Sequence, residues 1–202
     1  MGEYYCRIEY YNIKTYILWI IEFFVTFYSL RLVHECLHGI YSVITGGTFG
    51  HIGVGQWIFF VPVFYITCSG GNTFAVVEGT LLTTWLIALL LVILTSFNFL
   101  RLFMDSCRAL NLSGKLFGIQ LGAAVEMIGE GIYALPNFVL IDLFGQKIYP
   151  GDGTVMYWWF QNMGYNPLTQ YFIAFLMIFG GICVVFWVLK CHEIFCSRCS
   201  LV

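Results

Sequence analysis

The sequence predicts an all-α membrane bundle of about four transmembrane helices, with a short β-like or re-entrant segment after the first. Hydrophobic residues make up 60% of the 202-residue chain and charged residues only 10%, whereas soluble domains are about 45–50% apolar and about 25% charged. Four apolar segments each exceed the roughly 20 residues that cross a bilayer core. The stretch between the first two is instead rich in glycine, β-branched and aromatic residues.

The predicted membrane core covers residues 15–189, between a cytoplasmic N-terminal segment, 1–14, and a cytoplasmic Cys-rich tail, 190–202. The N-terminal segment mixes aromatic and charged residues, so it does not resemble a signal peptide, and the first span should remain as an anchor. A core of this size leaves no room for a soluble domain, so any regulatory module is expected to be a separate partner. The predicted spans are residues 15–44, 73–97, 116–143 and 169–189.

The connection between the first two spans, residues 45–71, is expected to be extended or re-entrant. Its apolar run, 57–66, is too short for a comfortable span and contains Pro62. Backbone of this kind is tolerated at membrane depth only where it packs against protein or faces water.

The distribution of basic residues predicts the orientation of the bundle. The connection 45–71 has no Lys or Arg, and 145–168 has only Lys147. The other basic residues precede the first span, follow the fourth, or lie between the second and third: Arg7, Lys14, Arg101, Arg108, Lys115, Lys190 and Arg198. The positive-inside bias therefore predicts that both termini and the 98–115 loop are cytoplasmic. The net charge of −2 gives no reason to expect nucleic acid as a partner.

A metal-binding motif, His34-Glu35-Cys36-Leu37-His38, lies within the first predicted span. On a helix the two histidines are four residues apart and share one face, so both imidazoles can bind one Zn²⁺. Glu35 can then reach a water on the metal as a general base. If the helix begins near residue 15, His34 lies about 28 Å along it, in the outer part of the membrane.

A catalytic zinc normally takes three protein ligands, and Asp152 is the first candidate for the third. It lies in Tyr149-Pro150-Gly151-Asp152-Gly153, where proline and glycine favour an irregular backbone that leaves the carboxylate free to turn inward. The connection is predicted to lie on the same side of the membrane as His34. The alternative is that Asp152 caps the segment that follows it.

Glu130 and Glu126 are alternative third ligands. They are four residues apart on the third predicted span and therefore share one face, and intramembrane carboxylates are costly enough to indicate a functional site. Their structural alternative is a hydrogen bond to each other or an ion pair with Arg31. His51 is a further, weaker candidate ligand.

The tail contains Cys191, His192, Cys196 and Cys199. This pattern could form a small metal site, but a zinc ribbon normally needs two spaced pairs of ligands. Cysteines next to a membrane are also ordinary acylation sites.

Residues 31–160 resemble the site-2 protease family of intramembrane zinc metalloproteases. The likeness lies in the stretch from His34 to Gly55, in Ser69-Gly70-Gly71-Asn72, and in Pro150-Gly151-Asp152-Gly153. In that family the motif is followed by a small residue and a β-like segment, then by a small-residue patch that opens a helix. A turn whose Asp is the third zinc ligand comes last. The resemblance therefore implies that Asp152 has this role.

The resemblance implies an intramembrane zinc endopeptidase whose substrate is a membrane protein or peptide. Glu35 would take a proton from water and pass it to the leaving amine. Asn72 either positions the substrate or donates to the oxyanion, or is only a turn residue after Gly-Gly. Segment 45–71 could offer an edge to which an unwound substrate adds as a strand.

The alternative is a membrane transporter or channel without proteolytic activity. In that case the two histidines and the intramembrane glutamates Glu78, Glu126 and Glu130 would form a cation path. Glu35 favours the protease, because a transporter needs no carboxylate that leaves the metal free and contacts its water.

Overall fold

The computed structural model describes residues 13–58, 61–136 and 152–199, with seven α-helices and one antiparallel hairpin in these residues. In chain order the elements are α1 (Ile13–Ile44), β1 (Thr48–Ile58), β2 (Val61–Ser69), α2 (Thr73–Thr95), α3 (Phe97–Leu100), α4 (Ser106–Lys115), α5 (Phe117–Tyr133), α6 (Asp152–Asn162) and α7 (Leu168–Cys199).

Among the described residues, three helices are long and apolar enough to cross a membrane: α1, α2 and the Leu168–Glu193 part of α7. Large apolar side chains cover their outer faces, as a lipid environment requires. The coarse prediction of a mostly helical membrane protein is therefore confirmed. So is the short extended segment after the first helix, because β1 and β2 occupy most of residues 45–71.

The third predicted span, 116–143, differs from the prediction. Its helix, α5, ends at Tyr133, and Pro136 follows after an irregular turn. Proline disfavours helical backbone in the residue before it, which accounts for this early end. Residues 137–143 of the predicted span, and residues 1–12 of the predicted N-terminal segment, lie outside the described residues. At the other end of the chain, α7 continues through the predicted tail as far as Cys199.

The helix α5 is the centre of the bundle and packs against α1, α2 and α7. Two glycines one turn apart, Gly118 and Gly122, allow a close approach, since a Cβ at either would overlap the backbone of α1 at Trp19 and Phe23. Small residues at this spacing are typical of helix pairs in membranes, where close packing replaces the hydrophobic effect as the attraction between helices. This packing brings Glu130 of α5 beside His34 of α1 and Glu126 beside Arg31.

The hairpin lies against α1 immediately after the second histidine of the motif. A Cβ at Gly39 would overlap the Phe49 ring and lie 2.9 Å from Ile66 Cδ1. The register begins with Thr48 opposite Ser69. The small residue after His38 thus allows the sheet to lie directly beside the motif.

Gly71 lies in the turn that leads from β2 into α2, and two features of its surroundings favour glycine. Its φ is +84°, and a Cβ there would lie 2.6 Å from Thr45 Oγ1. Gly46 also has a positive φ, +90°, but a Cβ there meets open space. The left-handed region costs a residue with a Cβ about 1–2 kcal/mol, so Gly46→Ala should show this strain alone.

We therefore expect Gly71→Ala to lower the melting temperature of the detergent-solubilised protein more than Gly46→Ala does. The difference would measure the clash with Thr45. Equal shifts in thermal unfolding followed by circular dichroism would contradict this account of the turn.

The helix α6 was not predicted, because the sequence analysis treated residues 145–168 only as a connection between two spans. Its buried side chains Met156 and Phe160 pack with Val77 and Leu81 of α2 and with Ala174 of α7. Packing of an apolar face, rather than local propensity, stabilises most short helices, and this explains why so short a segment is helical here.

Candidate metal centre

Three side-chain atoms converge between α1 and the start of α6: the Nε2 atoms of His34 and His38 and Oδ2 of Asp152. Each lies 3.1 Å from the other two. Both histidines are buried, and the side chain of Asp152 is 19% exposed. This group of three could hold a metal ion.

The hydrogen bonds of the two histidines define which ring nitrogen is free. His38 Nδ1 lies 2.9 Å from the carbonyl oxygen of Val76, and His34 Nδ1 lies 2.9 Å from Glu130 Oε2. A carbonyl or carboxylate oxygen accepts, so both Nδ1 atoms donate, and a neutral ring then has a lone pair on Nε2. Three electron-rich atoms thus face one another, and the arrangement is stable only with a cation or a proton between them.

The electrostatics of Asp152 agree with that requirement. Burial raises the pKa of Asp152, but its interactions with the adjacent His38 and His34 side chains outweigh burial and hold that pKa well below its usual range. The carboxylate is therefore ionised and available to a cation.

The donor set suits zinc. Zinc binds histidine nitrogen at about 2.0–2.1 Å and carboxylate oxygen at about 2.0–2.2 Å, so tetrahedral ligand atoms lie about 3.4 Å apart. The 3.1 Å separations are slightly shorter, and an opening of a few tenths of an ångström brings the three atoms to that geometry. Two neutral imidazoles and one carboxylate, with a fourth position left for water, are typical of catalytic zinc.

Asp152 is the first residue of α6, and Gly153 explains how it reaches the histidines. A Cβ at Gly153 would overlap the carbonyl of Ala134, just after the end of α5. The start of α6 therefore lies tightly against the end of α5. Pro150 and Gly151, which the sequence analysis placed in an irregular turn before Asp152, lie outside the described residues.

Glu35 is half-buried, beside the metal candidates rather than among them. Its carboxylate is close enough to interact electrostatically with His34, His38 and Asp152. As the residue after His34 on a helix, it points about 100° away from that histidine. It is therefore near the three atoms without being one of them.

The two glutamates of α5 do not join the group of three. Glu126 pairs with Arg31, with Oε1 2.9 Å from Nε, and Glu130 contacts the Nδ1 side of His34. The ion pair with Arg31 is one of the alternatives that the sequence left open. Both carboxylates are fully buried.

The remaining candidates have other surroundings. The side chain of Asn72 caps α2, with Oδ1 accepting from Ala75 N at 3.2 Å. His51 is exposed on the hairpin and contacts Thr67. Glu78 is buried on α2. Of the tail, Cys191 is an exposed free thiol on α7.

Comparison with known proteins identifies no relative. No family model matches the chain, and searches of curated proteins and of solved structures found no significant match. Conclusions about function therefore rest on the geometry and chemistry of the chain itself.

Two contributors to the site could not be found from the sequence. The carbonyl of Val76 positions His38, yet every residue has such a carbonyl, so no residue type signals this role. Gly153 allows the contact between α5 and α6. Its only signal was its place in a glycine-rich turn next to a candidate ligand.

Proposed function

We propose that this chain is an intramembrane zinc endopeptidase similar to the site-2 proteases. The observation that carries the proposal is the convergence of two imidazole nitrogens and one carboxylate oxygen beside the carboxylate of Glu35. His34 and His38 lie on a helix that is long and apolar enough to cross a membrane. A hydrolytic site at this position would act on peptide bonds of membrane-spanning or membrane-associated substrates.

The proposed mechanism assigns a separate task to each residue. His34, His38 and Asp152 would hold zinc, which supplies a positive charge that polarises a peptide carbonyl and lowers the pKa of water. The Glu35 carboxylate accepts the proton of the attacking water and then donates it to the leaving amine nitrogen. Asn72 Oδ1 accepts the hydrogen bond that caps α2. In this proposal only the side-chain NH₂ group of Asn72 would therefore donate to a substrate.

The hairpin offers an edge at which an extended substrate could bind. A helical peptide has its carbonyls engaged in hydrogen bonds and must unwind before hydrolysis. Among the described residues, β1 and β2 pair only with each other, so each has an outer edge at which an extended peptide could add by backbone hydrogen bonds. The contact at Gly39 sets the sheet beside the motif. In the proposed orientation, both termini are cytoplasmic, and the hairpin and the motif lie toward the side of the membrane away from the cytoplasm.

Metal removal is the first test of the proposal. The protein is reconstituted in vesicles with a panel of fluorescently tagged single-span substrates, and fragments are separated on gels. We expect cleavage by the zinc-loaded protein, loss of cleavage with 1,10-phenanthroline, and recovery when zinc is restored. The non-chelating 1,7-isomer is the matched control.

Cleavage that persists after the metal has been removed would contradict the proposal. So would a zinc-loaded protein that cleaves none of the substrates but moves divalent cations across the vesicle membrane. That result would favour the transporter, with Glu78, Glu126 and Glu130 as the cation path.

A further inference from the structure

A buried charged cluster lies behind His34, on the side of the ring away from Asp152. We call it the Arg31 cluster: Arg31, Glu126 and Glu130. Arg31 Nε is 2.9 Å from Glu126 Oε1, and Arg31 Nη1 is 3.8 Å from Glu130 Oε1. Both carboxylates are fully buried, and the arginine side chain is 13% exposed. Burying charged groups costs desolvation free energy, so three of them together indicate a functional role.

The cluster contacts the candidate metal centre at one point. Glu130 Oε2 lies 2.9 Å from Nδ1 of His34, and its other oxygen faces Arg31. Glu130 thus joins the guanidinium to the imidazole. Glu126 has no such contact, because its partner is Arg31 alone among the described ion pairs.

We infer that Glu130 is a positioning residue for His34, an inference that rests on the proposed metal site. By accepting a hydrogen bond from Nδ1–H of His34, Glu130 fixes the tautomer with a free Nε2 and holds the ring plane toward Asp152. The negative charge of Glu130 also makes the Nε2 lone pair of His34 more basic and thus a stronger metal ligand. Partners of this kind behind a metal-binding histidine typically contribute 10–100-fold in metal affinity.

Arg31 holds Glu130 in place and is itself held from several sides. Its guanidinium carbon lies 4.1 Å from the Tyr133 ring centroid, a cation–π contact. A Cβ at Gly129 would overlap the guanidinium, so glycine leaves the space that Arg31 occupies. Glu126 has no hydrogen bond or ion pair with His34 among the described contacts, so its effect on the metal should be smaller than that of Glu130.

The two histidines differ in the partner of Nδ1, which is a backbone atom for His38 and a side chain for His34. His38 Nδ1 donates to the carbonyl oxygen of Val76, a backbone atom that no side-chain substitution removes. His34 Nδ1 depends on the side chain of Glu130. Affinity for the metal should therefore be sensitive to substitution behind His34.

The test measures the zinc dissociation constant of the detergent-purified full chain by competition with a chromogenic chelator. Glu130→Gln keeps the size of the side chain and removes its charge, whereas Glu130→Asp keeps the charge but withdraws it from Nδ1. We expect both variants to bind zinc about 10–100-fold more weakly than the wild type, yet still to bind one zinc per chain at saturation. Glu126→Gln should have a smaller effect. Glu22→Gln changes a half-buried carboxylate twelve residues before His34 on α1 and should stay within about twofold of the wild type.

A spectroscopic measurement separates positioning from a general loss of structure. With Co²⁺ in place of zinc, both Glu130 variants should shift the visible absorption bands, because the orientation of one imidazole changes, while Glu22→Gln leaves them unchanged. Circular dichroism confirms that the variants compared are folded.

Wild-type affinity in both Glu130 variants, or the same loss in Glu22→Gln, would overturn the inference while leaving the metal site intact. Loss of one bound ion at saturating zinc in the Glu130 variants would overturn it too, because it would make Glu130 a ligand. A wild type that binds no divalent metal would overturn the metal site itself, and this inference with it.

Discussion

Glu35→Gln is expected to keep the metal and to lose about 10²–10⁴-fold in cleavage rate. The amide has nearly the shape of the carboxylate but cannot accept a proton from water, and general base catalysis typically contributes a factor of this size. Zinc should be retained because the three converging atoms belong to His34, His38 and Asp152 and not to Glu35. The measurement pairs single-turnover cleavage of a tagged single-span substrate with zinc content of the same sample.

The matched control for this variant is Glu193→Gln, which makes the same chemical change at an exposed position of α7. It should behave as the wild type in both measurements. Turnover at the wild-type rate in Glu35→Gln would remove Glu35 from the mechanism. Loss of zinc in Glu35→Gln would instead make Glu35 a ligand, contrary to the geometry.

Asp152→Asn is expected to lower zinc affinity and cleavage together. Its Oδ2 is 3.1 Å from Nε2 of both histidines, and an amide oxygen is a weaker, uncharged donor to zinc. Loss of a ligand charge should weaken binding by more than the roughly 10–100-fold expected for a partner behind a ligand. The affinity is measured by chelator competition, beside Glu130→Gln.

The comparison between these two variants decides the third ligand. The account predicts that Asp152→Asn has the larger effect and that zinc remains substoichiometric where Glu130→Gln still saturates. The reverse order would assign the third ligand to Glu130, the alternative that the sequence left open. Equal, wild-type affinity in both would leave the two histidines as the only ligands.

The sequence predicted best what depends on neighbouring residues. The spacing of His34 and His38 places them on one helical face whatever the rest of the chain does. Long apolar segments and a glycine-rich stretch likewise indicated the spans α1, α2 and α7 and the extended hairpin. Each of these follows from local periodicity and composition.

What the sequence could not predict depends on contacts between distant segments. Asp152 approaches His34 from 118 residues away, and its place at the start of a helix follows from the packing of α6. The choice between Asp152 and Glu130 is equally non-local, because both are carboxylates at a comparable predicted depth. Their positions on opposite sides of the His34 ring are fixed by how α5 and α6 pack against α1.

The boundary of α5 shows the same limit in another form. Apolar composition alone extended the third span to residue 143, although Pro136 is a recognisable helix breaker. Hydrophobicity does not distinguish a continuous helix from one that ends and turns. In the structure, α5 ends where Ala134 contacts Gly153, the residue after the candidate ligand Asp152.

Metal analysis of the purified protein tests the central claim most directly. The full-length wild type is reloaded with zinc after treatment with a chelator, freed of excess metal, and its zinc content is measured per chain by mass spectrometry, beside the double variant His34→Ala/His38→Ala. The account predicts about one zinc per wild-type chain, the usual stoichiometry of a mononuclear site, and none in the double variant. A wild type that retains no divalent metal, or a double variant that retains as much as the wild type, would contradict it.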